Sequence, residues 1–211
     1  MVSLDAYRRN IRTEKRQAIL EASLHIFLTQ GFQNAGMAAI AKQADVSTAT
    51  LYKHFSSKDQ LFGEMVEMHV NGYQVLPIDV DTLDTSDLRA ALSKVSEGFV
   101  NLISDPRTVS IFRTIIGEAD RFPILQKLIY EKGRNPFRNL LVQFFSKDSV
   151  AAQLTITDRA IAAEWYIGLL SYWLIFVRVF NPEMTYSPRR VTEIVTESVE
   201  MFLARYRVPS S

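Results

Sequence analysis

Between positions 48 and 58 the chain sets out a row of short polar, aromatic and cationic side chains: Thr48, Ala49, Thr50, Tyr52, Lys53, His54 and Lys58. These types suit contact with duplex DNA. A Thr hydroxyl serves a base edge or a phosphate, and both Thr and Ala can meet a thymine methyl. Tyr, Lys and His donate to phosphate oxygens. For such a row to read DNA, Thr48 and Ala49 must lead a helix into the major groove, while Tyr52, Lys53, His54 and Lys58 anchor the backbone. The free N–H groups of that helix's first turn would also suit a phosphate. Arg12, in a basic N-terminal arm, and Met37, at the start of the preceding helix, complete the candidate contact set.

The elements that must position this row are legible. A first helix is expected from Thr13 to Gln30, with Thr13 as N-cap and Gly31 as the left-handed residue after it; Ile19, Ser23, Ile26 and Phe27 form its inner stripe. A short helix over Met37–Ala44, the turn Asp45-Val46-Ser47 and a third helix over Thr48–Phe55 make a helix-turn-helix unit. Ile40, Ala41, Ala44, Val46, Leu51 and Phe55 are its packing residues, and Asp45 takes the position that needs a positive φ. Ser57 and Gln60 form a capping box for a fourth helix, with Leu61, Met65, Met68 and Gly72 along one face.

Pro77 and the polar run Asp79–Asp87 form a connector, beyond which the chain reads as helices with no strand alternation. Leu88, Leu92, Val95, Phe99 and Leu102 mark a fifth helix, Asp105-Pro106 opens a sixth, and Phe122-Pro123 starts a further segment. Gly133 and Pro136 interrupt the chain before Phe137–Phe145, and Ser146–Thr155 is a loop. Two long helices close it, about Thr157–Phe180 and Ser187–Tyr206. The fold class is all-α: a three-helix head over residues 1–57 and a larger helical body over 58–211.

The run from Ile40 to Lys58 resembles the DNA-binding signature of TetR/AcrR-type transcriptional regulators, as do Ile19-Leu20-Glu21-Ala22-Ser23, Phe27 and Gly31-Phe32 before it. The resemblance covers about residues 12–65. Glu118-Ala119 and Arg121-Phe122-Pro123 resemble one subgroup of the family's C-terminal domains. Met37 stands where the family often has a capping, phosphate-touching Thr, Asp45 replaces a turn Gly, and Ala49 replaces a frequent Gly. The resemblance implies a homodimer on an inverted-repeat operator and a small-molecule effector bound in the body.

The charge pattern agrees. The whole chain carries 24 Lys and Arg against 23 Asp and Glu, a net +1. Residues 1–60 hold eight of the basic and five of the acidic side chains, so a +3 head joins a −2 body. No apolar leader precedes Arg8, Arg9 and Arg12. The most apolar run, the thirteen residues Trp165–Val177, is shorter than a membrane span of about 18–20, so no membrane partner and a cytoplasmic location are expected.

Within the penultimate helix, Glu164, Ser171 and Arg178 form one narrow polar stripe. Ile161, Trp165, Leu169, Tyr172 and Phe176 lie to one side, and Tyr166, Leu170, Trp173, Val177 and Phe180 to the other. A helix apolar on two sides must be covered twice, once by its own subunit and once by a second copy. Tyr166, Leu170, Val177 and Phe180, with Val191, Ile194, Val195, Ser198 and Phe202 of the last helix, are the expected dimer contacts in a four-helix arrangement. Phe99, Phe112, Tyr130, Phe137, Trp165 and Trp173 are candidates for an apolar effector pocket, with Met65, Met68 and His69 on the helix leaving the head.

Other chemistry is excluded. The chain has no Cys, and His25, His54 and His69 match no ligand spacing, so no metal, cofactor or thiol chemistry is expected. With no strand there is no phosphate-binding βα turn, and the carboxylates read as solvated partners of Lys and Arg; the protein is not expected to be an enzyme. Three readings remain. The first is a repressor released by a small, largely apolar effector. The second is a regulator of the same fold that activates or answers to a protein partner. The third is a helical adaptor that does not bind DNA.

Overall fold

A computed structural model describes residues 4–72, 78–117, 127 and 130–208, with side chains from residue 10 onward. The chain divides into two compact units, Met1–His69 with Thr114–Leu128 and Val70–Arg113 with Ile129–Ser211. All named elements are helical; among the described residues the only β pairing is one isolated bridge, Leu154 with Arg207.

The first unit contains α1 (Leu4–Asn34), α2 (Met37–Gln43), α3 (Thr48–His54) and most of α4 (Lys58–Asn71). Thr13 is not a cap: α1 already runs from Leu4, since no Gly or Pro interrupts residues 4–12. Gly31 does break the helix as expected, at φ 75° and ψ 164°, and one further turn follows it. Ile19, Ser23, Ile26 and Phe27 are all buried. Phe27, Phe32 and Phe62 form a ring cluster with centroids 5.0–5.5 Å apart. Because Phe62, Leu61 and Met65 of α4 belong to that core, the compact unit extends to His69, beyond the boundary at 57 read from the sequence.

The second unit holds α5 (Leu88–Ser104), most of α6 (Pro106–Gly117), and a π turn (Tyr130–Arg134) leading into α7 (Asn135–Ser146). It continues with α8 (Asp148–Ala151), α9 (Arg159–Ser171), a second π turn (Tyr172–Phe176), α10 (Val177–Phe180) and α11 (Pro188–Tyr206). Gly133 and Pro136 therefore widen the helix rather than break it, and the expected loop 146–155 contains one helical turn. The expected start at Phe122-Pro123 and the subgroup residues 118–123 lie outside the described residues. Asp87, Asp158 and Ser187 cap α5, α9 and α11 by accepting from backbone N–H groups.

The expected stripe on α5, Leu88, Leu92, Val95, Phe99 and Leu102, is buried. Phe99 stacks on Phe137 at 4.2 Å. Tyr166 packs on Phe202 and bonds through its hydroxyl to Ser96 Oγ at 2.8 Å; burial raises its pKa. Lys147 Nζ donates to the carbonyls of Val80, Asp81 and Leu83 at 2.8–3.0 Å and so holds the connector before α5.

The π turn in the penultimate helix corrects the expected faces. Ile161 and Phe180 lie 19 residues apart, which in a uniform α-helix leaves them about 100° out of line. A π turn takes up one extra residue, about 100°. Phe180 is thereby carried from the Tyr166 side to the Ile161 and Trp165 side. It is 77% exposed, and Trp165 is 66% exposed. Arg178 likewise leaves the Glu164 stripe and is buried. By length and mean hydropathy Arg159–Phe180 could cross a membrane. Its charged residues are nonetheless engaged by helices of the same unit: Glu164 pairs with Arg134 and Arg138, and Arg178 donates to Ser104.

Candidate nucleic-acid interface

The recognition row is presented by α3. Leu51 and Phe55 point inward and are fully buried, as are Ile40 and Ala41 of α2. That leaves Thr48, Ala49, Tyr52 and Lys53 exposed on the opposite face. Ser47 caps α3: its Oγ accepts from Thr50 N at 3.1 Å and lies 2.8 Å from the Thr50 hydroxyl. Thr50 is thus half-buried and engaged within the cap. Asp45 makes the turn at φ 53°, as its position required. Gly36 caps α2 without any side-chain bond, and Met37 is half-buried.

The cationic face is narrower than the sequence count suggests. Arg12, Lys15 and Lys53 are exposed. Arg16 is ion-paired with Glu64 and lies over the Phe55 ring at 5.2 Å. His54 titrates below its usual value, through desolvation first and then the positive charges of Arg12, Arg16, Lys53 and Lys15. The positive potential is therefore concentrated where the first half of α1 meets the end of α3.

Lys58, expected as a phosphate anchor, is placed against the end of α1. Its Nζ donates to the carbonyls of Phe32 at 2.7 Å, Gln33 at 3.1 Å and Ala35 at 3.1 Å, and lies 4.7 Å from the Phe32 ring centre. These carbonyls stand just past the break at Gly31, so an ammonium group satisfies the frayed end of α1. Sequence spacing cannot reveal this contact, because Lys58 is 26 residues from Phe32. Half of the expected capping box forms as read, Ser57 Oγ accepting from Gln60 N, while the reciprocal bond moves back one residue, Gln60 Oε1 accepting from Ser56 N and Oγ.

The expected effector residues divide between the two units. Met65 and His69 are buried in the first unit, and Met68 is half-buried, its sulfur 3.4 Å from Gln17 Nε2. In the second unit Phe99 and Phe137 fill each other's space. Phe112 is half-buried, whereas Tyr130, Trp165 and Trp173 are exposed and line no interior. Of the expected dimer contacts, Tyr166, Leu170, Ile194, Ser198 and Phe202 are buried within the chain's own core and offer no surface to a second copy. Val177, Val191 and Val195 are half-buried, and Phe180 is exposed. The surface apolar face consists instead of Ile161, Trp165, Tyr172, Phe176 and Phe180. Periodicity found two apolar stripes; only packing decides which one faces inward.

Comparison with known proteins agrees with this geometry. Residues 19–65 match the family of bacterial regulatory proteins, tetR family, and residues 90–208 match the AefR-like transcriptional repressor C-terminal domain. The HTH-type transcriptional regulator AcrR of Shigella flexneri is 25% identical over 201 residues, 90% of each chain. The HTH-type transcriptional activator FasR of Mycolicibacterium smegmatis is 36% identical over 92 residues, 44% of this chain and 42% of that protein. A chain from Mesorhizobium loti assigned to the TetR-family transcriptional regulators superposes with a TM-score of 0.80 at 26% identity, over 93% of this chain and 98% of that one. The flavonoid-responsive regulator FrrA superposes at 0.71 with 28% identity, over the same shares.

Proposed function

Since the chain belongs to the TetR family of DNA-binding transcriptional regulators, and so is not an enzyme, we propose that it acts in the cytoplasm as a homodimeric repressor of an inverted-repeat operator. The observation that carries the reading is the exposed face of α3, with Thr48, Ala49, Tyr52 and Lys53 outward beside Arg12 and Lys15. Two such heads set about 34–36 Å apart read one face of the duplex. A second copy covers the aromatic face of Ile161, Trp165, Tyr172, Phe176 and Phe180, flanked by Val177.

Release by a small, largely apolar effector completes the reading, supported by the likeness to a flavonoid-responsive regulator. Phe99, Phe112 and Phe137 remain the apolar candidates of the body. An effector acts only through a difference in affinity between the DNA-competent and released states. The alternative sign, activation from the same operator, is favoured by the match to the activator FasR; transcription from the cognate promoter with and without the protein separates the two.

The division of roles on the DNA face is tested by gel shift at several salt concentrations. Lys53→Ala and Arg12→Ala should each weaken binding to all sequences and lower the salt slope by about one. Thr48→Ala should instead relax preference at one operator position. Equal, sequence-independent losses from all three would refute the assignment.

A further inference from the structure

Between α5 and the first half of α11 the second unit holds an open groove of about 700 Å³. Its walls include Val100, Asn101, Ser104, Tyr186, Val191 and Val195. Lys94 and Glu97, ion-paired with each other, also line it. The volume lies within the range of about 300–1,000 Å³ typical of small-molecule sites.

Two buried polar atoms without partners lie at one end of this groove, one on Ser104 in its wall and one on Arg178 behind Tyr186. Ser104 Oγ is buried and makes no hydrogen bond. The Ser104 carbonyl accepts from Arg178 Nη1 at 2.8 Å, and Arg178 Nε is likewise buried and unpartnered. Arg178 is 4% exposed and donates to the carbonyls of Ser104 and Leu174, with the charge of Asp105 acting on it as well. The adjacent carboxylate, Asp105, is bonded to Arg107 at 2.7 Å. Tyr186 lines the groove and sets its ring 5.9 Å from the guanidinium carbon. A buried cation whose hydrogen bonds go to carbonyls is costly, and a guanidinium matches a carboxylate through paired N–H donors.

We propose that this groove binds an organic carboxylate. The apolar body of the ligand lies along Val100, Val191 and Val195. Its acid group accepts from Ser104 Oγ and, once the Tyr186 side chain rotates, from Arg178. The site is distinct from the aromatic residues read from the sequence as an effector pocket. Binding is measured without DNA, so this proposal fails or stands separately from the regulatory reading.

The test is calorimetric titration of the purified full chain with 2-naphthoate and, as the neutral isostere, 2-naphthamide. The acid should bind at least about ten-fold more tightly than the amide. Ser104→Ala and Arg178→Gln should each remove about ten-fold of the acid's affinity, and Thr192→Phe, which fills the groove wall, should abolish it. If Arg178→Gln does not fold, Ser104→Ala and Thr192→Phe decide alone. Equal binding of acid and amide, no binding of either, or acid binding unaffected by both of those variants overturns the proposal.

Discussion

Replacing Lys58 by Met separates two roles that its position permits. Met keeps an unbranched apolar stem against Phe32 and removes only the ammonium. The structure assigns that ammonium three carbonyl partners, of which the Phe32 and Ala35 contacts are part-buried and the Gln33 contact is exposed. An exposed carbonyl rehydrates and contributes little. Two part-buried bonds at about 1 kcal/mol each, with about 0.5–1 kcal/mol from the cation over the Phe32 ring, predict a loss of roughly 2–3 kcal/mol in the first unit. At about 1.4 kcal/mol per factor of ten, that is roughly 30- to 150-fold faster amide exchange across α1–α4. Hydrogen-exchange mass spectrometry resolves this unit from the rest, which both tryptophans occupy and fluorescence would report instead. The result that would refute the reasoning is unchanged exchange together with a DNA-binding salt slope lowered by about one. In that case Lys58 would be a phosphate anchor and not a clamp on the end of α1.

Asp45→Gly should raise thermal stability by about 0.5–1 kcal/mol, because Asp45 holds φ 53°; a lowered Tm would show that its side chain matters more than its backbone. Trp165→Glu should convert dimer to monomer in sedimentation, whereas Tyr166→Phe should leave the dimer intact. The latter should cost about 1 kcal/mol by removing one of the two bonds of Ser96 Oγ, which keeps its bond to the Leu92 carbonyl; the reverse pattern would restore the faces expected from the sequence. His54 binds its proton less tightly in the folded chain than the ordinary value of 6.5. Its contribution is therefore fully present above pH 6.5 and is lost as pH falls from there through the folded value. Urea melts of His54→Asn should show a flatter pH dependence over that window, and an unchanged dependence would remove His54 as its source.

Much of the head was legible because its information is local. The positive φ at Asp45, the break at Gly31, the cap at Ser47 and the burial of Leu51 and Phe55 follow from residue type and spacing over a few positions. So does the exposed row Thr48, Ala49, Tyr52, Lys53, since a seven-residue helix with two inward anchors has one free face. The helical class and the inner stripe of α5 were settled in the same way, by period alone.

Tertiary structure decided what period leaves degenerate. Two apolar stripes on one helix satisfy the same arithmetic, and one π turn of Tyr172–Phe176 rotates everything after it by about 100°. Packing against the rest of the unit left Trp165 on the surface and took Tyr166 and Leu170 into the core, while the π turn carried Phe180 outward and drew Arg178 in against Ser104. Long flexible cations carry the least positional information of all. Lys58 and Lys147 each reach three backbone carbonyls at least 23 residues away in sequence. Charge alone predicts that a lysine seeks oxygen atoms. Whether those oxygens belong to a phosphate or to the frayed end of a neighbouring helix depends on which lies within reach of Nζ once the chain has folded.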